Sequence, residues 1–447
     1  MSEQRINGAA SPWQSRLAHL RAQRRYLWRR FALFLAVVGP GVITSNVDND
    51  AGGITTYSVS GAQYGYALLW SLIPMTLALY VSEEMCARMG VITGKGLSDL
   101  IREEFGFRTT FYLMIVGFLV DLGNVTAEFA GVASAMEIFG RMLHMPPDTA
   151  KYIAVPVAAL AVWLLVLRGT YRQVEAIFLI ACTFYLSYFF SAILAHPQWS
   201  EAFKATVVPH FSFQPEYLLT LTALVGTTIA PWQFFYLQAG FVEKKVGPKQ
   251  YAQARLDVLF GSISCMVIVF FIIVCCGATL FKAGHTHIEN AGEAAQALAP
   301  LAGPWASALF AFGLLNASLF AASILPLSTA HVVCEGLGFE AGLDCKFREA
   351  PVFYWLYTAL VVIGAAIILI PGAPLLKILI LSQVGNGMWL PIVLIFMILL
   401  SNRADLMGDK KNGPVFNTIA WVSSIVMIAL TLILIYAAIT NPHSIGM

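Results

Sequence analysis

Residues 31–57 read FALFLAVVGPGVITSNVDNDAGGITTY, an apolar stretch long enough to enter a bilayer but interrupted by Asp48-Asn49-Asp50-Ala51-Gly52-Gly53. In hydrocarbon each backbone amide must bond within the protein, so unwound helix at that depth survives only around a cavity. A second stretch has the same form. Residues 217–240 read YLLTLTALVGTTIAPWQFFYLQAG and are interrupted by Thr227-Thr228-Ile229-Ala230-Pro231-Trp232. A pair of Gly/Pro-interrupted apolar segments at matching places in two halves of a chain marks the binding site of a secondary transporter. Asp50, the carboxylate at the first interruption, points to a cation as the cargo.

Composition agrees. Of 447 residues, 58% are hydrophobic and 12% charged, which excludes an ordinary soluble domain and indicates a polytopic membrane protein. No polar stretch is long enough for a separate soluble domain. The seven cysteines show neither disulfide nor metal spacing and read as small buried hydrophobes. The first 30 residues carry seven arginines and no apolar core of a signal peptide, so residues 1–31 read as a basic cytoplasmic tail. A helix needs about 20 apolar residues to cross the hydrocarbon. Eleven segments qualify, at about 32–56, 66–88, 111–139, 152–168, 174–196, 217–240, 257–281, 304–334, 351–371, 375–400 and 414–438. With the N-terminus placed in the cytoplasm, 22 Lys and Arg fall inside and 5 outside. That bias sets the orientation, N-terminus in and C-terminus out. Special helices at positions one and six of eleven predict a 5+5 inverted repeat plus one helix. The transport core is 32–400, and 401–447 holds a loop, the eleventh helix and a short extracellular end.

Ionisable groups within these spans are costly and each needs a reason. Asp50 reads either as a cation ligand or as the cap of the following half-helix. Asp48 reads as an outer acid or a vestibule group. In the third span Asp121, Asn124 and Glu128 share one helical face, which fits an inward polar face or an interhelical seam. Glu83 and Glu84 are expected to pair with Arg88. His331 reads as a packing histidine. Gln383, near Ser382 and Asn386, could offer a carbonyl oxygen to a cation or join helices. His285, His287, Glu289 and Glu293 read as a solvated loop.

The donors at the two breaks are hard oxygens: the Asp50 carboxylate, freed backbone carbonyls and the hydroxyls of Thr227 and Thr228. No Met, Cys or His stands in either break. Transition metals favour sulfur and imidazole, whereas Mg²⁺ and Ca²⁺ favour oxygen. Small residues at Ala51, Gly52, Gly53 and Ala230 are expected to leave room for an ion that keeps some of its water, as Mg²⁺ does. The predicted metal positions are Asp50, Gly53, Thr228, Ala230 and Gln383.

The stretches Gly39-Pro40-Gly41, Asp50-Ala51-Gly52-Gly53, Gly61-Ala62-Gln63-Tyr64-Gly65-Tyr66 and Ala87-Arg88-Met89-Gly90-Val91-Ile92-Thr93-Gly94-Lys95 resemble the Nramp family of divalent metal transporters. Ala127-Glu128, Gly313-Leu314-Leu315, Ser382-Gln383-Val384, Leu390-Pro391 and Met407-Gly408 extend the likeness over nearly the whole chain. The resemblance implies an all-α LeuT-like fold and divalent cation transport by alternating access. Its departures are informative. The family's Asp-Pro-Gly-Asn is here Asp50-Ala51-Gly52-Gly53, and its Met-Pro-His is Ala230-Pro231-Trp232. The acid expected three residues before Glu128 is Val125, and no Lys or Arg lies between Pro351 and Pro371. This combination resembles the prokaryotic Nramp-related magnesium transporters and implies loss of proton coupling.

The sequence therefore predicts a transporter, not an enzyme, importing Mg²⁺ and also Mn²⁺ across a prokaryotic plasma membrane. It calls for no cofactor, no nucleic acid and no obligate protein partner beyond the lipid bilayer. A proton-coupled Mn²⁺/Fe²⁺ importer and a sodium-coupled organic-solute symporter are the rivals within the fold. A membrane enzyme is disfavoured, because no nucleophile–base pair or His-rich metal motif stands in the spans.

Overall fold

Unbroken apolar runs punctuated by Pro and Gly fold here as helices that bury one side in the protein and turn the other to lipid. The computed structural model describes residues 39–142, 144, 147–168, 186–288, 291–295, 303–341 and 347–440. The principal helices are α1 Pro40–Val47, α2 Ala51–Tyr64, α3 Leu72–Thr93, α4 Leu97–Met142, α5 Pro147–Arg168, α6 Leu186–Leu194 and α7 Trp199–Val207. There follow α8 Pro215–Thr228, α9 Pro231–Glu243, α10 Tyr251–Cys276, α11 Ala306–Leu337, α12 Pro351–Ile368, α13 Leu375–Ser401 and α14 Pro414–Thr440. Proline opens α8, α9 and α12, where its missing N–H is no loss.

Among the described residues, eight segments are long and apolar enough to span a membrane, with α8–α9 counted as one. The expected first and fifth spans begin outside the described residues, as does the whole of the basic tail. The second, expected at 66–88, is the helix Leu72–Thr93, whose C-terminal half carries Glu83, Glu84 and Arg88. It ends where Gly94 turns left-handed (φ 67°). The third is longer than expected. Helix runs from Leu97, and Gly106 (φ 83°, ψ 162°) kinks it before the span proper.

Both breaks are also shorter than the sequence suggested. Only Asp48, Asn49 and Asp50 separate α1 from α2, and only Ile229 and Ala230 separate α8 from α9. Gly52 and Gly53 lie in the first turn of α2, and Thr227 and Thr228 in the last turn of α8.

The two broken helices lie inside the bundle. α1 and α2 pack on α10, and α2 also meets α8 and α13. The most extensive helix contact is α4 against α11. α14 sits outside, with Val422, Ile425, Val426 and Leu432 exposed to the lipid side. Gly226 of α8 and Gly387 of α13 let these helices touch backbone to backbone: a Cβ on Gly226 would overlap the Gln383 carbonyl oxygen. That contact places Gln383 beside the first break.

Candidate cation site

The first break is organised by its own carboxylate. Asp50 is extended (φ −67°, ψ −174°) and caps α2, its Oδ1 accepting the Gly53 N–H at 2.6 Å. A helix start leaves free N–H groups that favour such a cap. The capping reading of Asp50 therefore holds. Glu128 of α4 comes to the same place, its Oε2 accepting the Ala51 N–H at 3.4 Å. Asp50 and Glu128 are thus neighbouring buried carboxyls, 5% and 0% exposed. Glu128 Oε1 has no hydrogen-bond partner.

The second break supplies the opposite wall. Thr227 Oγ1 reaches the Asp48 carbonyl at 3.5 Å. Thr228 Oγ1 donates to the Leu224 carbonyl at 2.7 Å and lies 3.1 Å from the Tyr57 hydroxyl. Ala230 is buried and extended at the entry of α9. In the last turn of α8 the Val225 carbonyl accepts the Ile229 N–H at 2.8 Å, and Pro231 has no N–H to offer the Thr227 carbonyl.

Of the five predicted positions, the fold brings Asp50, Gly53 and Gln383 together and sets Thr228 across from them through Tyr57. Gly53 does not leave the expected room. A Cβ there would overlap the Asp48 carbonyl oxygen, and Thr227 Oγ1 and Asp50 Oδ1 would crowd it as well. Glycine at 53 is required by the tight passage of the chain, not by an open cavity. Gln383 is buried, and its Oε1 accepts from Asn386 Nδ2 at 3.0 Å. In this state it shows Asp50 its amide nitrogen rather than the expected oxygen.

Three further residues belong here. With its amide oriented to donate, Gln233 bonds both oxygens of Asp48, at 2.7 and 2.6 Å. Asn49 Nδ2 donates to Cys265 Sγ at 3.7 Å, so α10 brings a sulfur beside the break. Glu83 does not pair with Arg88. It lies fully buried and accepts from Ser45 Oγ (2.8 Å) and Ser262 Oγ (2.9 Å). Glu84, four residues before Arg88 and so on its face, makes the ion pair at 3.2 Å. His331 Nδ1 lies 3.8 Å from Glu243 Oε1, and its ring meets Phe353 edge-on. His285 and His287 join no metal-binding group among the described residues, and Glu289 lies outside them.

The Nramp model (natural resistance-associated macrophage protein-like) matches residues 41–437 of the chain. The chain belongs to the Nramp family. It is 27% identical to the divalent metal cation transporter MntH of Burkholderia ambifaria, over 91% of this chain and 90% of that protein. It is 30% identical to MntH 1 of Pseudomonas aeruginosa, over 91% and 92%. Among solved structures it resembles the Eremococcus coleocola manganese transporter, with a TM-score of 0.70 at 23% identity over 90% and 86% of the two chains. It also superposes on Mhp1, a nucleobase-cation-symport-1 family transporter, with a TM-score of 0.55 at 14% identity over 91% and 94%. These likenesses establish an all-helical, multi-pass membrane protein of the LeuT fold. As an Nramp-family member it is a transporter of divalent metal cations and not an enzyme.

Proposed function

We propose that this Nramp-family protein imports Mn²⁺ through a site centred on Asp50. The observation that carries this reading is the pair of buried acids, Asp50 and Glu128, with no base beside them. The buried bases among the described residues are engaged elsewhere. Arg88 bonds Glu84 and Asn412, and Lys151 lies over the Tyr152 ring. A buried charge must be paired or must coordinate a metal. A divalent metal cation as cargo is supported by the names of the MntH relatives, and manganese by that of the Eremococcus protein. Asp50→Asn, which keeps the cap but removes the charge, should abolish Mn²⁺ flux into proteoliposomes while the protein stays monodisperse. Near wild-type flux in that variant would place the site elsewhere.

A second reading, Mg²⁺ as an additional cargo, is favoured by the donor set. Ala230 offers no sulfur, Cys265 Sγ is engaged by Asn49, and the donors that the breaks themselves supply are oxygens, which suit a hard ion. Mg²⁺ should then compete with Mn²⁺ for uptake, and Ala230→Met should shift preference toward Mn²⁺ and Cd²⁺. Unchanged competition by Mg²⁺ in Ala230→Met would remove the support for this reading.

Import without proton coupling belongs to the same proposal. Trp232 follows Pro231, Val125 faces the third-span position, and α12 carries no Lys or Arg. The membrane potential suffices as a driving force. It favours entry of two charges by about 4.6 kcal/mol at 100 mV. A pH-sensitive dye inside proteoliposomes should report no metal-dependent acidification during Mn²⁺ influx under an imposed potential. Acidification above the leak rate would restore the proton-coupled alternative.

A further inference from the structure

Gln383 meets the cation site with the end of its amide that a cation would reject. Its buried Nε2 lies against Gly52 and is turned toward the Asp50 carboxyl, without a close hydrogen bond to it. A buried donor turned toward the group that should hold the cation calls for a cause. The cause lies in the residues behind it. Gln383 Oε1 is held by Asn386 Nδ2 at 3.0 Å. Asn386 and Asn124 exchange a reciprocal pair of bonds: Asn124 Nδ2 to Asn386 Oδ1 at 2.8 Å, and Asn386 Nδ2 to Asn124 Oδ1 at 3.1 Å. Asn124 Nδ2 also donates to Asp121 Oδ1 at 3.3 Å, and Thr329 Oγ1, 2.9 Å from the Leu325 carbonyl, lies 2.8 Å from Asp121 Oδ2. All five side chains are buried.

This chain has a direction, and Asp121 sets it. The Asp121 Oδ1 accepts in this arrangement. Asn124 must therefore turn its NH₂ end toward Asp121. The reciprocal pairing then turns the NH₂ end of Asn386 toward Gln383, so Gln383 must answer with its oxygen. Its own NH₂ is left pointing at Asp50. We infer that Asp121 is a positioning residue for the cation site: through Asn124 and Asn386 it fixes which end of the Gln383 amide faces Asp50, and so sets the affinity for the cation. The ion obtains the Gln383 oxygen only by turning that amide against the chain. The inference rests on the reading of Gln383 as a cation ligand.

Asp121→Asn removes the direction, because an amide can donate to Asn124 as readily as accept from it. The chain can then reverse and release the Gln383 oxygen to the ion. Mn²⁺ binding, titrated calorimetrically on the full-length protein in detergent, should tighten about three- to tenfold, the worth of one hydrogen bond. The concentration for half-maximal flux should fall with it, while flux at saturating Mn²⁺ stays near wild type. A residue that only supported the fold would lower the maximal flux instead. Asn386→Leu cuts the chain and should itself tighten binding, after which Asp121→Asn should add nothing. Asn124→Leu, which keeps Asp121, should tighten binding too and stands in should Asp121→Asn not fold. Gln383→Leu separates the two claims. If it leaves Mn²⁺ affinity at wild type, Gln383 is no ligand, and the reading beneath the inference falls. If it weakens binding while a folded Asp121→Asn does not change it, the inference alone falls. An undiminished Asp121→Asn effect in the Asn386→Leu background would also overturn it.

Discussion

Asp50 does two jobs with one carboxylate, and the choice of replacement separates them. Asparagine can still accept the Gly53 N–H, so Asp50→Asn should keep the start of α2 and lose the ion. Asp50→Ala should lose both, melting at lower temperature by the equivalent of about 1 kcal/mol. Thermal unfolding in detergent, run on both variants beside flux, distinguishes the roles. Gly53 makes the companion case. Its missing Cβ is occupied by the Asp48 carbonyl oxygen, which is backbone and cannot swing aside. Gly53→Ala should therefore destabilise the protein by about 1–3 kcal/mol and depress Mn²⁺ and Mg²⁺ flux alike. Lost flux for one metal with full flux for the other would mean that position 53 selects ions rather than shaping the chain.

At the scale of helices, α1 is fastened to α10 by polar contacts that replace the hydrophobic effect lipid cannot supply. Asp257 accepts the Gly41 N–H at 2.7 Å and the Gly39 N–H at 3.2 Å. Glu83 then bridges Ser45 of α1 and Ser262 of α10. Asp257→Ala should loosen α1, and a cysteine placed at Thr44 should label faster with a membrane-impermeant thiol reagent in that background. Equal labelling rates would show that the apolar contacts of α1 alone hold it. None of these partnerships was legible in the sequence. The breaks were, because Gly, Pro and Asp cannot hide in an apolar run. Their lengths were not, since a capping carboxylate rewinds the helix one residue after it, and a proline starts a helix as readily as it ends one. The face shared by Asp121, Asn124 and Glu128 was visible as helical spacing. That Glu128 would meet Asp50 while Asp121 would reach Gln383 depends on how α4 lies against α2 and α13, which no local pattern encodes. Glu83 was misassigned for a simpler reason: it sits beside Glu84 in the chain but a quarter-turn away on the helix, and only Glu84 shares the Arg88 face.

For the whole molecule the notable quantity is a charge imbalance. Asp48, Asp50, Glu83, Glu84, Asp121, Glu128 and Asp257 are buried, against Arg88 and Lys151 among the described residues. An interior so composed is a receptor for cations. Arg88 answers Glu84, whereas Asp50 and Glu128 have no base beside them, and a divalent ion that enters offsets their charge. The folded protein alone offers this matrix, so metal binding is also folding free energy, worth about 2.7 kcal/mol at a hundredfold excess over Kd. Melting temperature should rise with Mn²⁺ in wild type and stay flat in Asp50→Asn. A flat wild-type response would mean that the ion does not settle among these acids. The same receptor ties chelator to detergent stability for this protein: a preparation stripped of metal has lost the counter-charge of its own interior.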